Sequence, residues 1–202
     1  MKTRLPGNLV FIVAATIFTS FLSQCTVFQS GRNPQEKQRI IPVEEWGGVA
    51  VQQEIPAQEI KNITLHHGGV EFTRNDDPEE YLRNLQWWSR TEKGWIDIPY
   101  HYLIDLDGRI YEGRDIRYAG DTNTEYDPTG HALICVFGNY EIIKPNQKQL
   151  ESIVWLMTKL CKDYRLSPNV IASHLDYAER TVCPGKNLYY YIENGYFVAQ
   201  VN

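Results

Sequence analysis

The sequence predicts an α/β domain in which one central mixed β-sheet is flanked by helices. Three observations predict it. Segments of strand character and segments of helical period alternate along the chain, without internal repeats or low-complexity stretches. Two short apolar runs meet at Asp107-Gly108, a hairpin signal, so at least one strand pair is antiparallel. The stretch from residue 40 to residue 202 is long enough for one domain with a substantial core.

Residues 1–24 have the layout of an export signal. Lys2 and Arg4 precede a run from Leu9 to Leu22 that is apolar apart from Thr16, Thr19 and Ser20. That run is short of the roughly 20 apolar residues a membrane span requires. Leu22-Ser23-Gln24-Cys25 resembles the lipobox of bacterial lipoproteins, in which the new N-terminal cysteine is acylated, although Gln24 stands where a small residue is usual. The expectation is a cell-envelope protein, periplasmic or on the outer surface, anchored by lipid at Cys25. An ordinary secreted protein and an uncleaved N-terminal anchor are the alternatives. Residues 25–39, including Ser30-Gly31-Arg32-Asn33-Pro34-Gln35-Glu36-Lys37, are polar and without hydrophobic period, as a tether between membrane and domain would be. Removing Lys2 and Arg4 with the signal takes the formal charge from −5 to −7, and no Lys/Arg cluster interrupts the acidic balance. That excludes nucleic acid as the expected partner.

Within residues 40–202 the elements follow from periodicity. Asn62 to His67 is strand-like. Asp77-Pro78-Glu79-Glu80 opens a helix, with Pro at the first helical position and acids in the first turn; Tyr81, Leu82, Leu85 and Trp88 then recur at helical spacing to about Arg90. Tyr100 to Asp105 and Arg109 to Glu112 form the hairpin, and Ala132 to Phe137 a further strand. From Asn146 to Tyr164, Leu150, Ile153, Val154, Leu156, Met157, Leu160 and Cys161 give a helix with one wide buried face.

Four cysteines and five histidines carry the chemistry. His174 and Cys183 are too far apart in an irregular stretch to share a helical face, but a looped backbone can bring both to one metal ion. Pro184-Gly185 imposes a turn that holds the thiol at a loop edge. A buried thiol near a hydrogen-bonded core histidine is the alternative for the pair alone. Upstream, His66-His67 end an apolar run and offer a third ligand. Adjacent strand residues face opposite sides of a sheet, so only one of the two imidazoles reaches a given ion. Three protein ligands with the fourth position open is the composition of a catalytic zinc site. Cys135, in an apolar run, and Cys161, in a helical pattern, read as two buried free thiols, although a disulfide between them is allowed.

Five blocks stand in the order seen in one family: Ile63-Thr64-Leu65-His66-His67, Gly94-Trp95-Ile96-Asp97-Ile98-Pro99-Tyr100-His101-Tyr102, Asp107-Gly108-Arg109-Ile110-Tyr111-Glu112-Gly113-Arg114, Phe137-Gly138-Asn139-Tyr140, and His174 with Cys183-Pro184-Gly185. Over residues 40–193 the chain resembles the zinc N-acetylmuramoyl-L-alanine amidases of type 2, which include peptidoglycan recognition proteins and phage lysozyme-amidases. Ile41-Pro42-Val43-Glu44-Glu45-Trp46-Gly47 is similar to the opening segment of the recognition proteins. The resemblance implies zinc held by His66, His174 and Cys183, with His66 rather than His67 as the ligand after the strand. It implies hydrolysis of the amide joining N-acetylmuramic acid to L-alanine of peptidoglycan, by a monomer.

In the same way it implies Tyr100 as the donor to the scissile carbonyl and Thr181 as the active-site hydroxyl where phage enzymes carry lysine. His67, Trp95, Arg114 and Asn139 are the expected substrate contacts, and Trp87, Trp88 and Tyr118 are further aromatics near a groove. Two departures stand out: the interval from His174 to Cys183 is one residue longer than usual, and Ser89 occupies a position where histidine is common. Two rival readings remain. One is a module that binds muropeptides without cleaving them, whose relatives typically lack the ligand cysteine. The other is an amidase restricted to soluble anhydro-muropeptides, whose relatives carry aspartate in place of that cysteine.

Overall fold

Period-two alternation in the central strands builds a hydrophobic core on each face of one sheet. The computed structural model describes residues 38–201. Their strands are β1 (Ile40–Ile41), β2 (Asn62–His67), β3 (Tyr102–Ile104), β4 (Ile110–Glu112), β5 (His131–Val136) and β6 (Ile171–Ser173). The helices are α1 (Pro78–Thr91), α2 (Gln147–Tyr164), α3 (Lys186–Glu193) and α4 (Tyr196–Val201), with 3-10 turns at Pro168–Val170 and His174–Asp176. The strands form a mixed sheet in the order β1-β4-β3-β5-β2-β6, in which β3 and β4 are the antiparallel pair and every other pairing is parallel. The export signal, Cys25 and most of the tether lie outside the described residues. No helix among the described residues is long and apolar enough to cross a membrane.

On one face, Ile63, Leu65, Ile134 and Val136 pack against Ile153, Leu156, Met157 and Leu160 of α2 and against Leu188 and Phe197 of α3 and α4. On the other, Leu103, Tyr111, Cys135 and Phe137 pack with Trp46, Phe72 and Leu82 of α1. Cys135 and Cys161 are therefore in different cores, separated by the sheet, and both are free thiols. Trp46 is fully buried and donates its indole N–H to the Glu112 carbonyl at 2.8 Å, which seats the opening segment beside β4.

The two long helices start where their caps dictate. Asp77 accepts the Glu79 N–H at 2.9 Å and Pro78 opens α1. At α2, Asn146 and Gln149 form a reciprocal capping box, and the Asn146 side-chain amide also donates to the Leu106 carbonyl at 2.8 Å. The hairpin turn is tied to the same helix: Gly108 has φ +72°, a Cβ there would sit 2.6 Å from the Lys148 carbonyl oxygen, and Ser152 donates to the Gly108 carbonyl.

The buried face of α1 differs from the expected one. The line Leu82, Gln86 and Ser89 is buried, whereas Trp88, which helical spacing alone would bury with Leu82 and Leu85, is 38% exposed. Gln86 tolerates burial because its amide is satisfied on both sides: it donates to Asp97 Oδ1 at 2.8 Å and to the Val49 carbonyl at 3.1 Å, and accepts the Val49 N–H at 3.0 Å. Tyr81, Leu85 and Trp88 are thereby left to form the wall of a groove. Strands β1 and β6 and helices α3 and α4 were not anticipated, since elements of two or three residues and a Tyr-rich tail carry little periodic signal.

Candidate metal centre

Strand register brings the two histidines together. Strand β2 lies between β5 and β6, parallel to both, with His66 opposite Cys135 and Leu65 opposite Ser173. The residue after Ser173 is His174, so it leaves β6 beside His66 at the same edge of the sheet, with ring centroids 4.7 Å apart. Cys183 arrives on the loop that precedes α3. Its Sγ lies 3.6 Å from His66 Nδ1 and accepts the His67 N–H at 3.4 Å. The donor atoms of His66, His174 and Cys183 all lie within 4.8 Å of one another, and all three residues are buried.

The loop that carries the thiol is held tightly. Thr181 Oγ1 accepts the Cys183 N–H at 3.1 Å. Gly185 has φ +84°, and a Cβ on it would stand 2.4 Å from the Tyr140 carbonyl carbon, so only glycine lets the loop lie against the residues after β5. The interval from His174 to Cys183 begins with the 3-10 turn His174–Asp176, where Asp176 accepts both the Ser173 N–H and hydroxyl, at 2.7 and 2.8 Å.

The cluster fits zinc in donor chemistry and spacing. Zn–S and Zn–N bonds of about 2.3 and 2.1 Å at a tetrahedral angle place the two donors about 3.6 Å apart, which is the separation of Cys183 Sγ and His66 Nδ1. Burial, reinforced by the neighbouring His174, holds the His66 imidazole well below its usual range, and burial also lowers His174. Both rings are thus kept neutral, as metal ligands must be. Burial pushes the Cys183 thiol up to about 12, opposed by the His67 N–H, so its ionisation calls for a cation in the cluster.

Tyr100 stands next to this cluster, its ring 5.1 Å from that of His66. It also lines a groove of about 390 Å³ with Tyr81, Leu85, Trp88, Trp95 and Asn123. Burial raises the phenol well above its ordinary value and keeps the proton on the oxygen. Trp95 meets Trp88 edge to face at 5.9 Å, and Lys93 Nζ lies over both rings at 5.2 and 5.4 Å. Trp87 is exposed on the outside of α1, and Tyr118 is buried with its hydroxyl on the Gln53 carbonyl. Ser89 is buried in α1, and its carbonyl accepts the Trp95 N–H at 3.0 Å.

Two of the expected substrate contacts are engaged within the fold. His67 projects from the opposite face of β2 and is absent from the groove wall; its Nδ1 accepts the Tyr140 N–H at 3.2 Å, which fixes the turn after β5. Arg114 is only 2% exposed. Its guanidinium donates to the carbonyls of Ile98, Asp97 and Ala119 and pairs with Asp121, so it clamps the loops under the groove from within. Asn139 is half-buried and accepts the Glu141 N–H at 3.1 Å, shaping the turn beside Gly138. Two residues that sequence reasoning missed, Thr124 and Tyr126, reach the histidines from the loop before β5: Thr124 Oγ1 lies 2.7 Å from His174 Nε2, and Tyr126 Oη 3.4 Å from His66 Nε2. That loop has no period, so nothing in the sequence gives the direction of its hydroxyls.

Known proteins resemble this chain in sequence and in fold. A family model described as N-acetylmuramoyl-L-alanine amidase matches residues 56–186. Peptidoglycan recognition protein 1 of Mus musculus is 28% identical over 161 residues, covering 77% of this chain and 86% of the mouse protein. Human PGRP-IBETAC, solved in complex with glycosamyl muramyl pentapeptide, superposes with a TM-score of 0.64 at 28% identity, over 76% of this chain and 94% of the human one. The N-acetylmuramoyl-L-alanine amidase LysC from Clostridium intestinale shares the fold at 22% identity, with a TM-score of 0.63 over 80% of this chain and 99% of its own.

The interior position of Arg114 makes a distinct prediction. Arg114→Met should lower stability by about 3–5 kcal/mol, the usual cost of orphaning one partner of a buried, hydrogen-bonded charge, as read from urea unfolding. Unaltered stability with weakened muropeptide binding would return Arg114 to the substrate.

Proposed function

The chain belongs to the N-acetylmuramoyl-L-alanine amidase family, and from that premise we propose that it is a zinc hydrolase cleaving the amide between N-acetylmuramic acid and L-alanine of peptidoglycan. The observation that carries the reading is the convergence of two imidazoles and one thiol, from three separate segments, to within 4.8 Å. Zinc held there supplies Lewis acidity to the scissile carbonyl and lowers the pKa of water towards about 7.

The chain's own residues do the remaining work. His66 and His174 donate as neutral imidazoles, and Cys183 as a thiolate ligand rather than a nucleophile, so no acyl-enzyme forms. Tyr100, protonated and at the junction of cluster and groove, donates its hydroxyl to the oxygen on which negative charge develops. The Thr181 hydroxyl orients substrate at the loop it already shapes. Trp95, with Trp88 and Leu85, walls the groove that receives the muropeptide, and Asn139 is its proposed polar contact. The muramyl pentapeptide bound to the human relative supports that substrate class.

A module that binds muropeptides without cleaving them is the second reading, favoured by relatives named for recognition. The intact His66, His174 and Cys183 set weighs against it. For the leader we propose acylation of Cys25 and residence of a monomeric domain in the cell envelope, tethered by residues 25–39.

Three outcomes test these assignments. Stripping metal with a chelator should abolish release of L-alanyl peptides from muropeptides, and Cys183→Ser should do the same while leaving the domain folded, because a hydroxyl is a far poorer zinc ligand than a thiolate; full activity of the serine variant in chelator contradicts the zinc role. Tyr100→Phe should keep zinc bound and lower kcat by about 10²–10³, and an unchanged kcat removes the phenol from the chemistry. Cys25→Ser should move the protein out of the membrane fraction, whereas persistent membrane association with residue 1 intact shows an uncleaved anchor.

A further inference from the structure

The irregular segment between Gly120 and His131 sends two hydroxyls to the Nε2 atoms of both clustered histidines. Thr124 Oγ1 lies 2.7 Å from His174 Nε2, and Tyr126 Oη lies 3.4 Å from His66 Nε2. The inner nitrogen of His66, Nδ1, is the one that faces Cys183 Sγ. With a hydroxyl at Nε2 of each ring, Nδ1 is the nitrogen left to a metal ion, as it already is for His66 beside Cys183 Sγ; each Nε2 then carries the hydrogen and each hydroxyl accepts it.

The rest of the segment is arranged for that polarity. Thr122 Oγ1 accepts the Thr124 N–H at 3.1 Å and lies 2.8 Å from Thr124 Oγ1. The Thr124 hydroxyl therefore has somewhere to send its own hydrogen, which leaves its lone pairs to the His174 ring. Tyr126 is held by aromatic contacts: it stacks on Tyr177 at 5.6 Å and leans on the His131 and His174 rings at 5.6 and 5.1 Å. His131 is itself hydrogen-bonded to Thr64 Oγ1 of β2 at 2.7 Å. A loop without secondary structure is thus pinned to the strand that carries His66.

Resting on the zinc reading of the cluster, we propose that Thr124 and Tyr126 are positioning residues that set the ring orientation and tautomer of His174 and His66, and with them the affinity for the metal. Partners on the far nitrogen of a ligating imidazole fix its tautomer, and their loss usually weakens metal binding by about 10–100-fold. Thr124 is the stronger of the two, from its shorter contact and its relay to Thr122.

The test uses the full chain and zinc alone, with no substrate. Zinc Kd is measured by chelator competition for wild type, Thr124→Val, Thr124→Ser and Tyr126→Phe, together with the His174 tautomer in metal-free protein from imidazole ¹⁵N shifts. Thr124→Val should weaken zinc by about 10–100-fold and lose the pure Nε2–H tautomer of His174; Thr124→Ser should restore both, and Tyr126→Phe should have a smaller effect. A Thr124→Val protein with wild-type Kd and tautomer overturns the positioning role while leaving the zinc reading intact. A folded wild type that takes up no zinc overturns both.

Discussion

The parallel pairing of β2 with both β5 and β6 is the constraint on which the site depends. It brings the C-terminal ends of three strands to one edge, and its register puts Leu65 opposite Ser173, so that His66 and His174 leave the sheet as neighbours. A slip of one residue in β2 would exchange His66 for His67 and turn the wrong imidazole towards the thiol. Fully buried strands with apolar partners on both faces resist such a slip, because every side chain would change cores. The histidine positions are therefore a consequence of packing that extends well beyond the cluster.

The same alternation separates two tasks. The face of α2, α3 and α4 is a closed apolar core, and the turn containing Tyr140 is fastened to it through His67. The face of α1 is less complete: it buries Leu82, Gln86 and Ser89 and leaves Tyr81, Leu85 and Trp88 along a groove that ends at Tyr100. Polar groups beneath that groove are cross-linked rather than solvated. Arg114 ties two segments, Asp97-Ile98 and Ala119 to Asp121, through three carbonyls and one carboxylate, and Gln86 bridges Val49 and Asp97. Loops held in this way give a cleft a fixed shape without regular secondary structure.

Much of this was legible in the residues. The caps Asp77 and Asn146, the Asp107-Gly108 turn and the strands ending at His67 and Val136 are local signals, and local signals survive into the fold. The pair His174 and Cys183 stood out as chemistry, and alternation allowed only one of His66 and His67 at a given ion; that it should be His66 came from the resemblance, not from the pattern. What was not legible depends on distant partners. Arg114 looks like a surface cation until the carbonyls of Asp97, Ile98 and Ala119 are placed around it. Strand β6 is three residues long, and its place in the sheet exists only through β2. Thr124 and Tyr126 sit in a loop whose geometry depends on the packing of Tyr126 against Tyr177, a residue far along the chain, as well as against nearby His131.

The cluster offers a metal ion two imidazole nitrogens and one sulfur. X-ray absorption at the zinc edge of the purified, zinc-loaded full chain tests that set most directly. The expected spectrum has one sulfur at about 2.3 Å and two imidazole nitrogens at about 2.0–2.1 Å, with a single additional oxygen. A spectrum without sulfur, or with zinc enclosed by four protein ligands, would contradict it.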